Sequence, residues 1–312
     1  KKLQTRTLLV TLQENDAQTP YAPPQGAAEA YYAGDPLATH PSARHLPAER
    51  VPPHMHGVVD ANWVVANYDG EASYLDGELA RLFDRPRMRT AIVAFTADHG
   101  ESFGEHGVWW DHGELYPQTT RVPMILAWLG APPGARRDEV VLNSDLGRTL
   151  LDLAGLRQTR FPGRNMLAQD RQAEPIHLIS SHRKSAALVD WPWQLVLSLV
   201  DHHPDSQSLS PLKRRHAVEL YDLRADPEAL VDLADKEKDR ARDMREDLVA
   251  WLRQREPLRW GLRNSRGSAM AATLQALGYA GTEAAPEQHS DAALFPGSCD
   301  CAECLRWQDS MR

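Results

Sequence analysis

The chain has 312 residues, 42% of them hydrophobic and 25% charged, with a formal net charge of −8, which is enough apolar material for one large or two unequal globular domains. An acidic balance without a basic stripe excludes the electrostatic footprint of a nucleic-acid or anionic-membrane binder. No apolar run reaches membrane-spanning length and no signal peptide opens the chain, and periplasmic, secreted and cytoplasmic locations stay equally open.

The sequence starts Lys1-Lys2-Leu3 and enters T-L-L-V-T-L, Thr7 to Leu12, which reads as an interior strand. A chain that begins inside a sheet is expected to be the remainder of a longer protein. Asp16 to Pro53, dense in Pro, Ala, Gly and His, reads as a long surface loop. From Val64 onward, Tyr68, Ala72, Leu75, Leu79 and Leu82 recur at three- and four-residue steps, predicting an amphipathic helix that Arg85-Pro86 ends. Ala91 to Ala97 is apolar apart from Thr96 and predicts a strand buried on both faces. A glycine-punctuated loop and a second buried strand in Val122 to Trp128 follow, bounded by G-A-P-P-G. Ser144 is expected to cap a helix in which Leu146, Leu150 and Leu153 share a face, with Gly155 as its stop.

Beyond Phe161 the strand candidates crowd together: Ile176 to Ser180, Ser185 to Val189, Gln194 to Leu199 and Val218 to Leu223. That spacing favours a small antiparallel sheet, with a charged helix from about Asp239 to Gln254 laying Met244, Leu248 and Trp251 or Leu252 across it. The expected domains are therefore 1–160, an α/β domain, and 161–280, a smaller α+β unit. Residues 281–312 read as a disordered or loosely docked tail. Its C-D-C-A-E-C, Cys299, Cys301 and Cys304, could take a soft metal but lacks the fourth ligand of a zinc site and the plain C-x-x-C spacing. Solvated, oxidisable thiols are the expectation.

The chemistry concentrates where Ala91 to Ala97 runs into Asp98 and His99. Ligands of α/β sheets gather at the carboxyl ends of strands, so this adjacent carboxylate and imidazole form half of a candidate metal site. Gly100 is expected to supply the backbone angles of the sharp departure. The bland alternative is a strand-ending turn with an Asp cap.

The wider motifs carry a resemblance. T-A-D-H-G-E-S-F-G-E-H-G, Thr96 to Gly107, then H-G-E-L-Y from His112 and R-V-P-M-I from Arg121, is similar to the second metal-binding motif of the sulfatase family. Asp16 to Pro24, D-A-Q-T-P-Y-A-P-P, resembles that family's D-x-H-x-P-Y-x-P-P segment. Tyr68 to Leu82 resembles the helix before the metal strand, and Glu219 to Leu233 the carboxy-terminal signature.

Over roughly residues 8 to 280 the resemblance implies an alkaline phosphatase-like α/β fold: a mixed, largely parallel sheet between helices, plus a small C-terminal antiparallel sheet with a helix. It implies a metal-dependent hydrolase of sulfate esters, on small molecules or glycans, with Asp98 and His99 as two ligands of a Ca²⁺-type ion, Mn²⁺ or Zn²⁺ being alternatives. It places a sulfate-contacting group at His112 and leaves Glu105 and His106 to fix their turn. Arg121 is either an anion partner or a salt-bridge partner of the loop. Gln18 departs from the pattern, because an amide stands where the family has a histidine and cannot deliver a proton to the leaving group. The family's nucleophile motif, C/S-x-P-x-R, the source of a formylglycine, occurs nowhere in the 312 residues. A non-catalytic sulfatase-like binding protein, or a metal-dependent phosphatase or phosphotransferase of the same superfamily, are the competing expectations.

Overall fold

Asp60 organises the amino-terminal region. Its carboxylate accepts from the Asn62 amide, capping helix α1 (Ala61–Phe83), and also from the Arg44 amide and the Tyr32 hydroxyl. Burial alone would raise its carboxyl, yet the backbone donors Asn62 and Arg44 together with Tyr32 hold it below the usual range. The segment expected as a surface loop is consequently tied down, with Tyr21, Ala28 and Leu46 buried.

The computed structural model describes residues 10–12, 17–156, 161–168, 173–180, 184–201, 213–255 and 301–308. It divides into two units, 1–112 with 118–173, and 113–117 with 174–312. Of the expected strand Thr7 to Leu12, residues 10–12 are described and lie in no strand; Asp16, Cys299 and most of the carboxy-terminal tail fall outside the described residues.

In the first unit α1 buries its amino-terminal half through Ala61, Val64, Ala66 and Asn67, whereas Leu75, Leu79 and Leu82 of the expected stripe are only half-buried and Ala72 is exposed. Strand β1 (Val93–Thr96) pairs antiparallel with β4 (Met124–Ala127), Phe95 facing Ile125. Every strand pair among the described residues is antiparallel, so the parallel neighbours expected for β1 are not among them. With one partner, β1 is not buried on both faces: Ala94 is exposed, and Ile125 of β4 is 60% exposed.

Between these strands the chain makes β2 (Ser102–Phe103), β3 (Trp109–Asp111) and the short helix α2 (Pro117–Thr120). Helix α3 (Asn143–Leu153) follows β4. Its first turn is fastened by the Asp145 carboxylate, which accepts from the Leu142 amide at 3.1 Å, and not by Ser144, which lies inside the helix. Gly155, at φ 72°, ends it as expected, with Gly155 N donating to Asp152 O and Leu156 N to Leu151 O, the paired closure of a Schellman motif.

The second unit holds the antiparallel sheet read from the sequence: β5 (Ile176–Ile179), β6 (Ser185–Asp190), β7 (Trp193–Ser198) and β8 (Val218–Asp222), in the order β5-β6-β7-β8. Side chains alternate between its faces. Leu188, Leu195, Leu197 and Leu220 meet Met244, Leu248 and Leu252 of helix α4 (Lys238–Arg255) on one side, and Ala187, Val196 and Tyr221 meet Leu115 and Tyr116 on the other. Burial on both faces explains why these strands read as nearly unbroken apolar runs. Helix α5 (Ala302–Gln308) adds Trp307 to the α4 side, and Cys304 is buried. The expectation of solvated thiols is therefore corrected for Cys304, because its helix has an apolar face to bury.

Candidate active site

Asp98 and His99 leave the end of β1, and the strand end is braced from α3. Asn143 donates from Nδ2 to the Ala97 carbonyl at 2.9 Å and accepts from the Thr96 hydroxyl at 3.0 Å. Asp98 Oδ1 accepts from the His99 amide at 3.0 Å, and its carboxylate is 65% exposed. His99 Nδ1 lies 2.9 Å from the Gly100 carbonyl. A carbonyl only accepts, so Nδ1 carries the hydrogen and Nε2, 3.7 Å from Asp98 Oδ1, is left with its lone pair in the neutral ring.

The segment read as a glycine-rich loop is a β-hairpin. Ser102 pairs with Asp111 across β2 and β3, and the turn uses positive φ at Gly104 (110°), His106 (54°) and Gly107 (72°). The Glu105 carboxylate accepts from Phe103 N at 2.6 Å, which gives Glu105 and His106 the turn-fixing part expected of them. Because the hairpin folds residue 111 onto residue 102, His112 comes back beside the residues that precede β2. Its ring stacks on His99 with centroids 3.7 Å apart and an interplanar angle of 12°, and its Nδ1 stands 3.9 Å from Glu101 Oε1.

Gly100 is needed for a reason other than the expected one. Its φ is not in the left-handed region; instead its amide donates to Thr119 O at 2.8 Å, and a Cβ would sit 2.0 Å from the Gln118 carbonyl oxygen. Close backbone approach is what requires glycine here.

Glu101 was not singled out by the sequence. It is 8% exposed, and burial, with the charge of Asp111 adding to it, pushes its carboxyl up to about 7. No hydrogen-bond partner of its Oε1 lies among the described residues. Burial, with the Glu101 charge adding to it, also pushes the Tyr21 phenol up, so Tyr21 stays neutral while it packs edge-on against Tyr68 and Trp110. Tyr21 thereby anchors the segment that carries Gln18, which sits half-buried in a bend three residues earlier. The structure thus brings Asp98, His99 and His112 together. Arg121 is exposed and makes no ion pair among the described residues.

The H-G-E-L-Y motif divides by task. Glu114 accepts from the Ser185 hydroxyl at 3.2 Å, the Leu115 carbonyl accepts from Gln194 Nε2 at 2.5 Å, and the Tyr116 hydroxyl donates to Glu219 at 2.7 Å. Lys213 Nζ donates to the same Glu219 oxygen at 3.0 Å. These residues anchor the segment to the four-stranded sheet, and only His112 of the motif joins the candidate site.

Residues 11–156 match the family model described as Sulfatase. The choline-sulfatase of Rhizobium meliloti (strain 1021) is 29% identical over 223 residues, covering 62% of this chain and 40% of that protein. The uncharacterized sulfatase YidJ of Escherichia coli (strain K12) is 30% identical over 142 residues, covering 44% of this chain and 28% of that protein. The chain thus spans two fifths or less of these relatives' lengths. Among solved structures, a sulfatase-like protein of Bacteroides fragilis superposes with a TM-score of 0.51 at 19% identity, covering 75% of this chain and 51% of the other. An enzyme bound to its substrate D-glucosamine-2-N,6-O-disulfate superposes with a TM-score of 0.50 at 20% identity, covering 63% and 42%. These likenesses show the alkaline phosphatase-like α/β fold.

Proposed function

We propose that the chain is a member of the sulfatase family and a metal-dependent hydrolase of sulfate esters whose cation is held in part by Asp98 and His99. The observation carrying this reading is the pair at the end of β1: a carboxylate oxygen and an imidazole Nε2 3.7 Å apart, with a second imidazole stacked on the first. Two electron-pair donors at that separation fit a shared divalent ion with metal–ligand distances of about 2.0–2.4 Å. The mixed O and N set suits Ca²⁺ when further oxygens complete it, and Mn²⁺ or Zn²⁺ with fewer. When bound, the cation would orient the sulfuryl oxygens and offset charge developing on them.

The chain's own residues supply the rest. His112, stacked on His99, is placed to donate to a sulfate oxygen. Glu101, held protonated up to near neutral pH, backs His112 at 3.9 Å and keeps negative charge away from the anion until the pH passes about 7. Gln18 can hydrogen-bond to the ester oxygen but cannot protonate it, so activated aryl sulfates, with good leaving groups, are the favoured substrates over sugar or alkyl sulfates. The nucleophile is proposed to be a formylglycine contributed by sequence outside these 312 residues, since no C/S-x-P-x-R occurs within them.

Gln18 and the absent nucleophile motif also favour a second reading, oxyanion binding without turnover. Calorimetry with sulfate, in the presence and absence of Ca²⁺ or Mn²⁺, tests the shared premise: binding should require the cation and weaken at least tenfold in His112→Ala. Cation-independent binding, or binding untouched by that substitution, would remove the basis of both readings. Hydrolysis of a nitrophenyl sulfate by these 312 residues, abolished in Asp98→Ala, would instead point to a nucleophile within them.

A further inference from the structure

Remote in sequence from Asp98, the second unit holds another set of metal-ligating atoms. His216 precedes β8 and is fully buried. Its Nδ1 lies 3.4 Å from Cys301 Sγ and 3.2 Å from Cys304 Sγ, and all these atoms fall within 4.8 Å of one another. Neither cysteine is in a disulfide. Cys301 and Cys304 bracket Ala302-Glu303 as a C-x-x-C, so the plain pair spacing is present once Cys299 is set aside. We infer that His216, Cys301 and Cys304 hold a soft divalent cation, Zn²⁺ by class, which fastens helix α5 to the segment entering β8.

Geometry supports this assignment. Zinc–sulfur distances of about 2.3 Å and zinc–nitrogen distances of about 2.1 Å imply tetrahedral edges of about 3.6 Å between sulfur and nitrogen, close to the separations found. His216 has φ 68°, a conformation costly for a side chain of its size and retained where the surroundings over-determine it. Its amide donates to Ser198 O at 2.7 Å, which fixes the ring's origin. Arg245 Nη2 points at Cys304 Sγ from 3.6 Å, the cationic neighbour that favours a thiolate.

Binding would release one proton from each thiol to solvent, and the two thiolates balance the cation's charge. The fourth tetrahedral position falls to water or one further donor. With His216 and Cys304 buried and Cys301 half-buried, the three protein donors are shielded from solvent while one coordination position stays open. What it stabilises is visible: α5 contributes Trp307 to the sheet's apolar core and pairs Arg306 with Asp235.

The test is metal content of the 312-residue chain produced with zinc supplied and purified under reducing conditions. One zinc per chain is expected, kept in Asp98→Ala and reduced at least tenfold in Cys301→Ser, Cys304→Ser and His216→Ala. Arg245→Met should keep the site but weaken affinity about tenfold or more. Should a variant fail to fold, titrating the wild-type chain with a mercurial replaces it: zinc release should follow modification of two thiols. A wild-type chain without zinc, zinc kept in Cys304→Ser or His216→Ala, or a Cys301–Cys304 disulfide mapped by mass spectrometry in fresh protein would each overturn the inference.

Discussion

Replacing Glu101 by Gln removes a charge and little else. The carboxyl is 8% exposed and raised from 4.5 to about 7, first by burial and then by Asp111. At about 1.4 kcal/mol for each pH unit, that rise is worth about 3 kcal/mol. The folded state holds this proton more tightly than the unfolded chain does. Between pH 4.5 and 7 the unfolded chain therefore ionises first, and the wild-type protein loses stability as the pH climbs. Below pH 4.5 both states are protonated and above 7 both are ionised, so the loss is confined to that window. Glu101→Gln has no such group. Urea denaturation of both proteins, followed by tryptophan fluorescence from pH 4 to 8, should show the stability of Glu101→Gln relative to wild type rising by about 3 kcal/mol across the window. A difference between the two that stays constant with pH would refute the assignment of an ionising, desolvated carboxyl beside His112.

Gly100→Ala should cost about 2–4 kcal/mol, because a Cβ 2.0 Å from the Gln118 carbonyl forces the Gly100–Thr119 hydrogen bond apart. The control is Gly77→Ala, where α1 faces open space and a gain of about 0.5–1 kcal/mol is expected in the same denaturation assay. Leu248→Ala, which empties a fully buried position between α4 and the sheet, should lose about 2–5 kcal/mol on the same scale.

Where burial followed a single period, the sequence was legible. The four strands of the second unit and α4 came out within a residue or two of their observed ends, because alternating or 3.6-residue patterns map directly onto the two faces of the sheet and the stripe above it. Gly155 likewise showed its part in advance. The hairpin over Ser102–Asp111 did not, because strands of two and three residues carry no period and its turn bends at His106, a residue with no turn preference to read. Hence Asp98 and His99 could be singled out from their place after β1, while the stacking of His112 on His99 depends on a register no local pattern encodes. Glu101 and His216 were missed for a related reason. Their chemistry comes from burial among distant residues, and neither has an apolar neighbourhood in sequence to announce it.

The central claim is that Asp98 and His99 share a divalent cation. Titration of Mn²⁺ into the 312-residue chain, read by electron paramagnetic resonance, tests it most directly. The account predicts a site that Ca²⁺ displaces, that Asp98→Ala and His99→Ala each abolish, and that Cys304→Ser leaves intact. Absence of that site in the wild-type chain, or its survival in both Asp98→Ala and His99→Ala, would contradict the account.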